Sequence, residues 1–574
     1  MRRRHARCAE MSALARFCNA GWLSLCLPEA QRFRSASADV RGVQSTLLRR
    51  LLSRNGQTWF GRQHQFGQIQ GAVEYRRAVP LSTYDDYREP IERIARGDQG
   101  VLTAERVLLL EPTSGTTSAE KLVPYTAGLR RQFQRAVRVW IADLFRHRPA
   151  VRRGAAYWSV TPLASEDRTT AGGIRVGFYD DSQYLAAVEQ ILLYGSLAVP
   201  PDVARCESVA SALYATSFFL LRAGNLALIS VWSPTFLSEL LSFLRRHAGA
   251  LCRDVAAGEI SRPMHAALQR SYRPMPRRAA RVASVLETAA TRPDWAQRLW
   301  PELALVSCWC DGPSSLFASA LREQLPAIEF QPKGLLATEA AISVPLVGRP
   351  GAALAVRSHF FEFRPVHHGC EPVGQDTLLA DELTVGERYQ VVVTTAGGFY
   401  RYQLRDEIEV VGFYREVPLI RFIGKCDHTS DMVGEKLSAS QVQFALDSAL
   451  ATLQINAEFA ELIAEMTPRP SYLLRISSPG LSGGHASQRQ LEERLDDALK
   501  SNPGYAYARQ LGQLGPLRVR LLESQEASML AAQRVRAQCD SLQRHGNLKP
   551  RILIGPEVFH QRLPRSDDGS RSST

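Results

Sequence analysis

Apolar residues recur along the chain first at helical spacing and then in short unbroken runs. Val43–Ser53 and Leu129–Phe145 carry them at helical spacing, which predicts amphipathic helices. Strands are predicted at Leu226–Trp232, Leu303–Cys310 and Ala327–Gln331, with helices at Phe236–Arg246 and Ser314–Gln324 between or after them. This alternation favours parallel α/β sheets, which bind ligands where loops leave the carboxyl ends of the strands.

Between residues 338 and 424 the pattern changes to a succession of short β-rich segments. These segments are Ala352–Arg364, Arg388–Thr395, Phe399–Leu404, Glu407–Tyr414 and Leu419–Ile423. Such a run is typical of a meander or a small barrel.

A smaller α/β unit is predicted after a boundary near Asp427. A capping box at Ser440–Gln443 opens a helix. Strands Tyr472–Ile476 and Leu517–Leu522 and helices Gln488–Lys500 and Ser528–Leu542 follow. The predicted organisation is an extension at 1–43 with a short amphipathic helix, a large domain at 44–426, a cap domain at 427–563 and a disordered tail at 564–574.

Composition narrows the class of protein. The 574 residues suggest two to four domains, and 45% apolar with 22% charged residues is typical of a globular chain. A net charge of +13 suits anionic substrates such as ATP. Without an RNA-recognition or zinc-finger pattern we expect no nucleic-acid partner, and Arg222 interrupts the longest apolar stretch, so we expect no membrane span. The ten scattered cysteines favour reduced thiols and a cytoplasmic location.

The stretch Glu111–Lys121 concentrates hydroxyl groups and a glycine directly after the apolar run Val107–Leu110. Its candidate phosphate-binding residues are Ser114, Gly115, Thr116, Thr117 and Lys121. The hydroxyls and the loop N–H groups can surround an anion, and the lysine adds a positive charge. It lacks the P-loop spacing. The alternative is an ordinary Ser/Thr-rich turn after a strand.

Further candidate groups lie later in the chain. Thr338 can donate to a phosphate and Glu339 can hold Mg²⁺ against it, unless this is a loop with a solvated carboxylate. Asp406 is predicted at a strand end, where it can accept both ribose hydroxyls; the alternative is a salt bridge with Arg405 or Arg401. The polar segment Phe422–Lys436 suits a hinge between two domains.

Taken together and in this order, these elements resemble the adenylate-forming superfamily, and in particular its acyl-acid amido synthetases, first known as auxin-responsive plant proteins and also found in bacteria. The resemblance spans about residues 44 to 560. The stretches that carry it are Arg77–Asp86, Ser230–Leu237, Leu299–Leu303, Phe360–Phe363 and Gly398–Tyr402.

The resemblance implies a large N-terminal domain, made of a β-barrel and two α/β subdomains, and a small mobile C-terminal α/β domain. It implies that Thr113–Lys121 holds the ATP phosphates and that Ala337, Thr338 and Glu339 contact phosphate, adenine and Mg²⁺. It assigns the ribose to Asp406 and the hinge to Asp427, preceded by Lys425 where an arginine is usual. The lysine that reaches the α-phosphate is either Lys436 or Lys549.

The implied activity is attack of a small carboxylic acid on ATP, with Mg²⁺ as cofactor, followed by transfer of the acyl group to an amino acid or another amine. Charge that develops in the first step must be neutralised by the metal and a lysine. One alternative acceptor is the thiol of coenzyme A or of a carrier protein. A second alternative is a non-catalytic nucleotide-binding descendant. The enzyme is expected to be a monomer.

Overall fold

The computed structural model describes residues 2–113, 121–159, 168–178, 181–289, 291–366, 376–426, 429–433, 435–466, 469–479, 485–510, 513–539 and 551–555. The chain divides into two compact units. The first consists of Met1–His367, Glu371–Gly424 and Met529–Pro550, and the second of His368–Cys370, Lys425–Ser528 and Arg551–Thr574.

The N-terminal helix is much longer than the short helix predicted there. Helix α1 spans Arg2–Ala36, and its residues Trp22 and Phe33 are buried in the core of the first unit. Asn19, whose polarity interrupts the apolar pattern, is itself buried and donates through Nδ2 to the carbonyls of Arg152 and Gly154, both at 3.0 Å. Asn19 therefore attaches α1 to the backbone at Arg152 and Gly154 instead of facing water.

The helices predicted from apolar periodicity in the first unit are present, and the structure adds others that the periodicity did not predict. They are α2 (Val40–Asn55), α3 (Trp59–Gln63), α4 (Ala72–Ala78), α5 (Arg88–Arg96), α6 (Ala127–His147), α7 (Pro149–Arg153), α8 (Ala187–Ser196), α9 (Val209–Arg222), α10 (Pro234–Arg246), α11 (Ala248–Ala257), α12 (Pro276–Glu287), α13 (Trp295–Leu299) and α14 (Ser315–Gln324). In the part of the chain that the structure describes, no helix has both the length and the apolar character to cross a membrane.

A hairpin precedes the parallel sheet in the chain. Its strands β1 (Val107–Thr113) and β2 (Lys121–Thr126) are antiparallel, and the short strands β4 (Arg168–Thr169) and β5 (Arg175–Val176) extend it in the order β2-β1-β5-β4.

The predicted parallel sheet is present. Its strands are β3 (Ala155–Trp158), β6 (Leu226–Ser230), β7 (Leu305–Cys308) and β8 (Glu329–Pro332), in the order β3-β6-β7-β8. One face packs on a core that includes α6, and alternate residues of the strands enter a second core with α9 and α10.

The β-rich region forms an antiparallel sheet of strands β9 (Ser343–Pro345), β10 (Ala352–Leu354), β11 (Phe360–Pro365), β12 (Leu378–Leu379), β13 (Arg388–Thr394), β14 (Tyr402–Tyr414) and β15 (Val417–Lys425). The strand order is β12-β11-β13-β14-β15-β10-β9. The segment predicted as one strand at Ala352–Arg364 is divided between β10 and β11. Conversely, most of the two segments predicted on either side of Asp406 belongs to the single strand β14. With the parallel sheet, this arrangement confirms the predicted α/β fold class.

The elements of the C-terminal part of the chain are β16 (Thr429–Ser430), β17 (Leu437–Ser438), α15 (Ala439–Leu453), β18 (Phe459–Glu465), β19 (Ser471–Ser477), α16 (His485–Leu499), α17 (Pro503–Gln510), β20 (Arg518–Leu521), α18 (Ser524–Cys539) and β21 (Leu553–Ile554). Four of the strands form a mixed sheet in the order β20-β19-β18-β21, and β16 pairs with β17 in a small ladder.

The predicted cap of α15 is wrong by two residues. Ser438 accepts from the N–H of Gln441 at 3.3 Å, and the Gln441 side chain accepts from the N–H of Ser438 at 2.9 Å. Ser440, predicted as the cap, lies inside the helix. Both serines precede a glutamine by three residues, so spacing alone does not separate them.

Candidate active site

The predicted phosphate loop closes the β1–β2 hairpin. Thr113 pairs directly with Lys121, so the intervening residues join two antiparallel strands. The Lys121 ammonium lies 5.8 Å from the centre of the Tyr84 ring, and the Tyr84 hydroxyl accepts from the N–H of Leu122 at 2.7 Å. The loop residues themselves lie outside the described residues; the candidates among them are Ser114, Gly115, Thr116 and Thr117.

Ala337, Thr338 and Glu339 lie in a tight turn beside this hairpin. Ala337 and Ala340 exchange both backbone hydrogen bonds, at 2.9 and 3.3 Å. The hydroxyl of Tyr125, on β2, donates to the carbonyl of Thr338 at 2.9 Å. The structure therefore brings the strand that starts at Lys121 into contact with the turn that carries the candidate carboxylate.

A buried histidine supports the far side of the same turn. The N–H of Ala341 donates to Nε2 of His359 at 3.1 Å, so this nitrogen acts as an acceptor and the ring is neutral. Burial, with a smaller effect of the Arg135 charge, lowers the pKa of His359 to about 3. Sequence analysis identified neither Tyr125 nor His359, since both act through single contacts with distant backbone.

The Glu339 side chain is half-buried, and its charge acts on tyrosines that line the turn. Burial raises the pKa of Tyr402 and the charge of Glu339 raises it further. Burial also raises the pKa of Tyr125, with smaller contributions from Tyr184, Glu111 and Glu339. These phenols therefore stay protonated at neutral pH and can donate hydrogen bonds.

Asp406 does not end a strand, and that prediction is wrong. It lies within β14 at a β-bulge: Gln403 pairs with Val392 and Glu407 with Gln390, so three residues oppose one. Arg405, in the middle of the bulge, has a φ of +57°. Asp406 is buried, with 2% of its surface exposed, although charged side chains usually face water. A bulge that directs a buried carboxylate is consistent with a functional position.

An ion pair anchors the start of the same strand. Arg401 donates from Nε and Nη2 to the carboxylate of Glu362, each at 3.0 Å, and both side chains are buried. Its Nη1 donates to the carbonyls of Arg76 and Val79 at 3.0 and 2.9 Å. Arg401 is thus engaged with Glu362, and the alternative of an Asp406–Arg401 surface salt bridge is not supported.

Three of the stretches that carried the family resemblance meet at this point. Ser82 and Tyr87 both donate to the carbonyl of Tyr400, each at 2.9 Å. Arg401 follows in the chain and binds Glu362. The stretches Arg77–Asp86, Phe360–Phe363 and Gly398–Tyr402 therefore form one framework that fixes β14.

The remaining candidates belong to the second unit or lie outside the described residues. Lys425 is the last residue of β15. Lys436 is exposed and has a φ of +43°, and its carbonyl accepts from Asn502 at 3.3 Å. Asp427 and Lys549 are not among the described residues. Cys426 is disulfide-bonded, so the predicted reduced state of the thiols is wrong at that position.

The described residues contain no cluster of three or more His, Cys, Asp or Glu side chains able to hold a metal ion. Mg²⁺ commonly needs only one or two protein carboxylates, because water and substrate phosphates complete its coordination. The half-buried Glu339, in a turn beside the hairpin, fits that donor set.

Comparison with known proteins finds a family that matches most of the chain. The GH3 family N-terminal domain matches residues 29–330, and the GH3 family central domain matches residues 352–425. The indole-3-acetic acid-amido synthetase GH3.15 of Arabidopsis thaliana is 26% identical over 422 residues, 68% of either chain. The probable indole-3-acetic acid-amido synthetase GH3.12 of Oryza sativa subsp. japonica is 27% identical over 552 residues, 85% of this chain and 88% of the rice protein.

The fold is shared with a solved structure. AtGH3.15 acyl acid amido synthetase in complex with 2,4-DB superposes with a TM-score of 0.80 at 19% identity, covering 94% of this chain and 95% of that one. Fold and relatives together define an adenylate-forming, ATP-dependent ligase of the acyl acid amido synthetase class. The chain belongs to the GH3 family. The predicted family and enzyme class are confirmed.

Proposed function

We propose that this enzyme activates a small carboxylic acid as its acyl-adenylate and then joins the acyl group to an amino acid. The contact of β2 with the Thr338–Glu339 turn supports the proposal best, because it brings a half-buried carboxylate beside the hairpin whose loop contains the candidate phosphate-binding residues. The curated relatives are named as amido synthetases, which favours an amine over a thiol as the acceptor.

In the first step the carboxylate of the acid attacks the α-phosphorus of ATP and pyrophosphate leaves. We assign the phosphates to the loop residues, Lys121 and the Thr338 hydroxyl, the adenine to the turn of Ala337, Thr338 and Glu339, and the ribose hydroxyls to Asp406. Glu339 would hold Mg²⁺, which neutralises charge on the phosphates. The Thr338 hydroxyl, held in the turn, would add a hydrogen bond to this stabilisation.

The second step needs positioning more than a protein nucleophile. A neutral amine can attack the acyl-adenylate when it is held against the carbonyl, and AMP leaves with the electron pair. Lys425 and the hinge at Asp427 would allow the cap domain, residues 427–563, to rotate between an arrangement for adenylation and one for acyl transfer. The cap lysine is either Lys436 or Lys549, and loss of adenylation in one single variant would identify it.

The first test is exchange of labelled pyrophosphate into ATP that depends on an added acid. The panel contains aromatic and aliphatic acids, including indole-3-acetic acid and 2,4-DB. Asp406→Ala should abolish exchange, whereas Glu409→Ala, which removes a more exposed carboxylate from the same strand, should keep it. Equal exchange by both variants would refute the ribose assignment.

The acceptor is identified by the product. Amide formation with an amino acid is expected, and a thioester formed with coenzyme A instead would favour the thiol alternative. Nucleotide binding without exchange for any acid in the panel would favour the non-catalytic alternative. We further propose a cytoplasmic monomer without a membrane or nucleic-acid partner, which sedimentation and filter binding can test.

A further inference from the structure

A row of side chains crosses the parallel sheet at the carboxyl ends of its strands. Trp158 is in register with Ser230, Ser230 with Ser307, and Ser307 with Gln331. Residues in register on neighbouring strands point to the same face of a sheet. The row therefore places an indole, two hydroxyls and an amide side by side where parallel α/β sheets bind ligands.

Lys333 extends from the end of β8 onto this row. Its ammonium donates to the hydroxyl of Ser230 at 2.7 Å and lies 5.2, 6.0 and 5.1 Å from the ring centres of Trp140, Trp158 and Trp232. Only 7% of the residue is exposed, whereas lysine is rarely buried in proteins. A cation is thus held among tryptophan rings next to the row.

Three further polar atoms of the row lack hydrogen-bond partners in the described part of the structure. They are Oγ of Ser307, Nε2 of Gln331 and Nε1 of Trp158. Ser307 and Gln331 are 0% and 6% exposed. Trp140 donates to Oε1 of Gln331 at 2.9 Å, and an indole N–H only donates, so the amide presents its NH₂ group to the row.

These groups together select an acceptor. Lysine, indole and amide nitrogens only donate, and the serine hydroxyl can do so. A water molecule would bring two hydrogens of its own, whereas a carboxylate or phenolate oxygen only accepts. The positive charge of the buried Lys333 ammonium further favours a negatively charged ligand. The tryptophan faces provide an apolar, aromatic wall for the rest of such a ligand.

We propose that Lys333 and the row from Trp158 to Gln331 bind a second acidic oxygen of the acid substrate, at the end remote from the carboxyl that is adenylated. The substrate class is an aromatic acid bearing a carboxylate or phenolate. This inference rests on the proposed function for its location: Lys333 precedes Thr338 by five residues, which limits their Cα atoms to about 18 Å apart.

The test compares phenylacetate with 4-carboxyphenylacetate and 4-hydroxyphenylacetate. For each acid, kcat/KM is measured by pyrophosphate exchange, and affinity by quenching of tryptophan fluorescence. Wild type should prefer the acidic ring substituents about 10- to 100-fold, as expected for a charge-assisted hydrogen bond. Lys333→Met should remove most of that preference, and Ser307→Ala should reduce it a few-fold.

Cys308→Ala is the matched control. Cys308 follows Ser307 on β7, and its side chain points to the opposite face of the strand, into the second core. The preference should survive this substitution. If Lys333→Met does not fold by circular dichroism, Ser307→Ala carries the test.

Equal kcat/KM for the paired acids in wild type, or an undiminished preference in Lys333→Met, would overturn the inference while leaving adenylation established. If Lys333→Met changed only the KM for the amino acid, the inference would be overturned too, because Lys333 and the row would then bind the acceptor. If no acid supports exchange, the proposed function fails, and fluorescence still decides the inference: tighter binding of the diacid that weakens in Lys333→Met supports an anion site.

Discussion

Replacing Glu362 by glutamine should destabilise the first unit more than its small chemical change suggests. The carboxylate is 1% exposed and binds Arg401 through both oxygens, and the hydroxyl of Thr377 donates to it at 2.6 Å. Glutamine keeps the shape but removes the charge, so the guanidinium of Arg401 stays buried without its counter-ion. Breaking a buried pair in this way costs about 3–5 kcal/mol.

That free energy can be converted into a melting temperature. The entropy of unfolding is about 2.1 cal/mol/K per residue, so the roughly 440 residues assigned to the first unit give about 0.9 kcal/mol/K. The expected loss is therefore about 3 to 5 °C for Glu362→Gln. Differential scanning calorimetry measures it directly.

The same sheet provides the control. Glu409 and Arg421 form an ion pair at 2.8 Å, but the arginine side chain is 51% exposed and the carboxylate 21%. Surface pairs contribute about 0–1 kcal/mol, so Glu409→Gln should shift the melting temperature by about 1 °C or less. The double variant Glu362→Gln/Arg401→Met should lose less than the two single variants combined, because it leaves no buried charge. Equal shifts for Glu362→Gln and Glu409→Gln would refute the reasoning.

Three further predictions concern stability. Folding lowers the pKa of His359 to about 3, against about 6.5 in the unfolded chain. The neutral ring therefore contributes fully to the free energy of unfolding above pH 6.5, and this contribution falls by about 1.4 kcal/mol per pH unit as the pH is lowered. Urea unfolding at pH 7 and pH 5 should show a smaller loss of stability for His359→Gln than for wild type. Ser438→Ala should cost about 1 kcal/mol in urea unfolding and Ser440→Ala clearly less, and the reverse order would restore the cap predicted from sequence. Gly398→Ala should cost at least about 1 kcal/mol by calorimetry, since φ is +101° there, and an unchanged melting temperature would contradict this.

The sequence predicted the two central strands of the parallel sheet well because β6 and β7 are mainly apolar and fully buried. Leu226–Ser230 is entirely buried, and its apolar run is visible without knowledge of its neighbours. The positions of Thr338 and Glu339, shortly after a strand of this sheet, followed from the same pattern. The apolar pattern of consecutive residues is enough to predict a strand when those residues are themselves buried.

Other elements depend on partners distant in the chain. Strand β18 was missed because its Glu461 suggests an exposed surface, yet that residue is 2% exposed and pairs with Arg475 of β19 at 3.3 Å. The bulge at Asp406 exists only through pairing with β13, so sequence placed a strand end there. Lys333 and its row combine residues of four strands, and only the register between those strands brings them together.

The stretches that carry the family resemblance also contain residues that are not assigned to ATP. Arg401 and Glu362 are proposed to contact no substrate, yet they fix the start of the strand that carries Asp406. A carboxylate that binds a ribose must be held within a fraction of an ångström, and buried supporting side chains provide that restraint. Glu362→Gln should consequently raise the KM for ATP in pyrophosphate exchange as well as lower stability. An unchanged KM in folded variant protein would show that the ion pair supports the sheet without positioning Asp406.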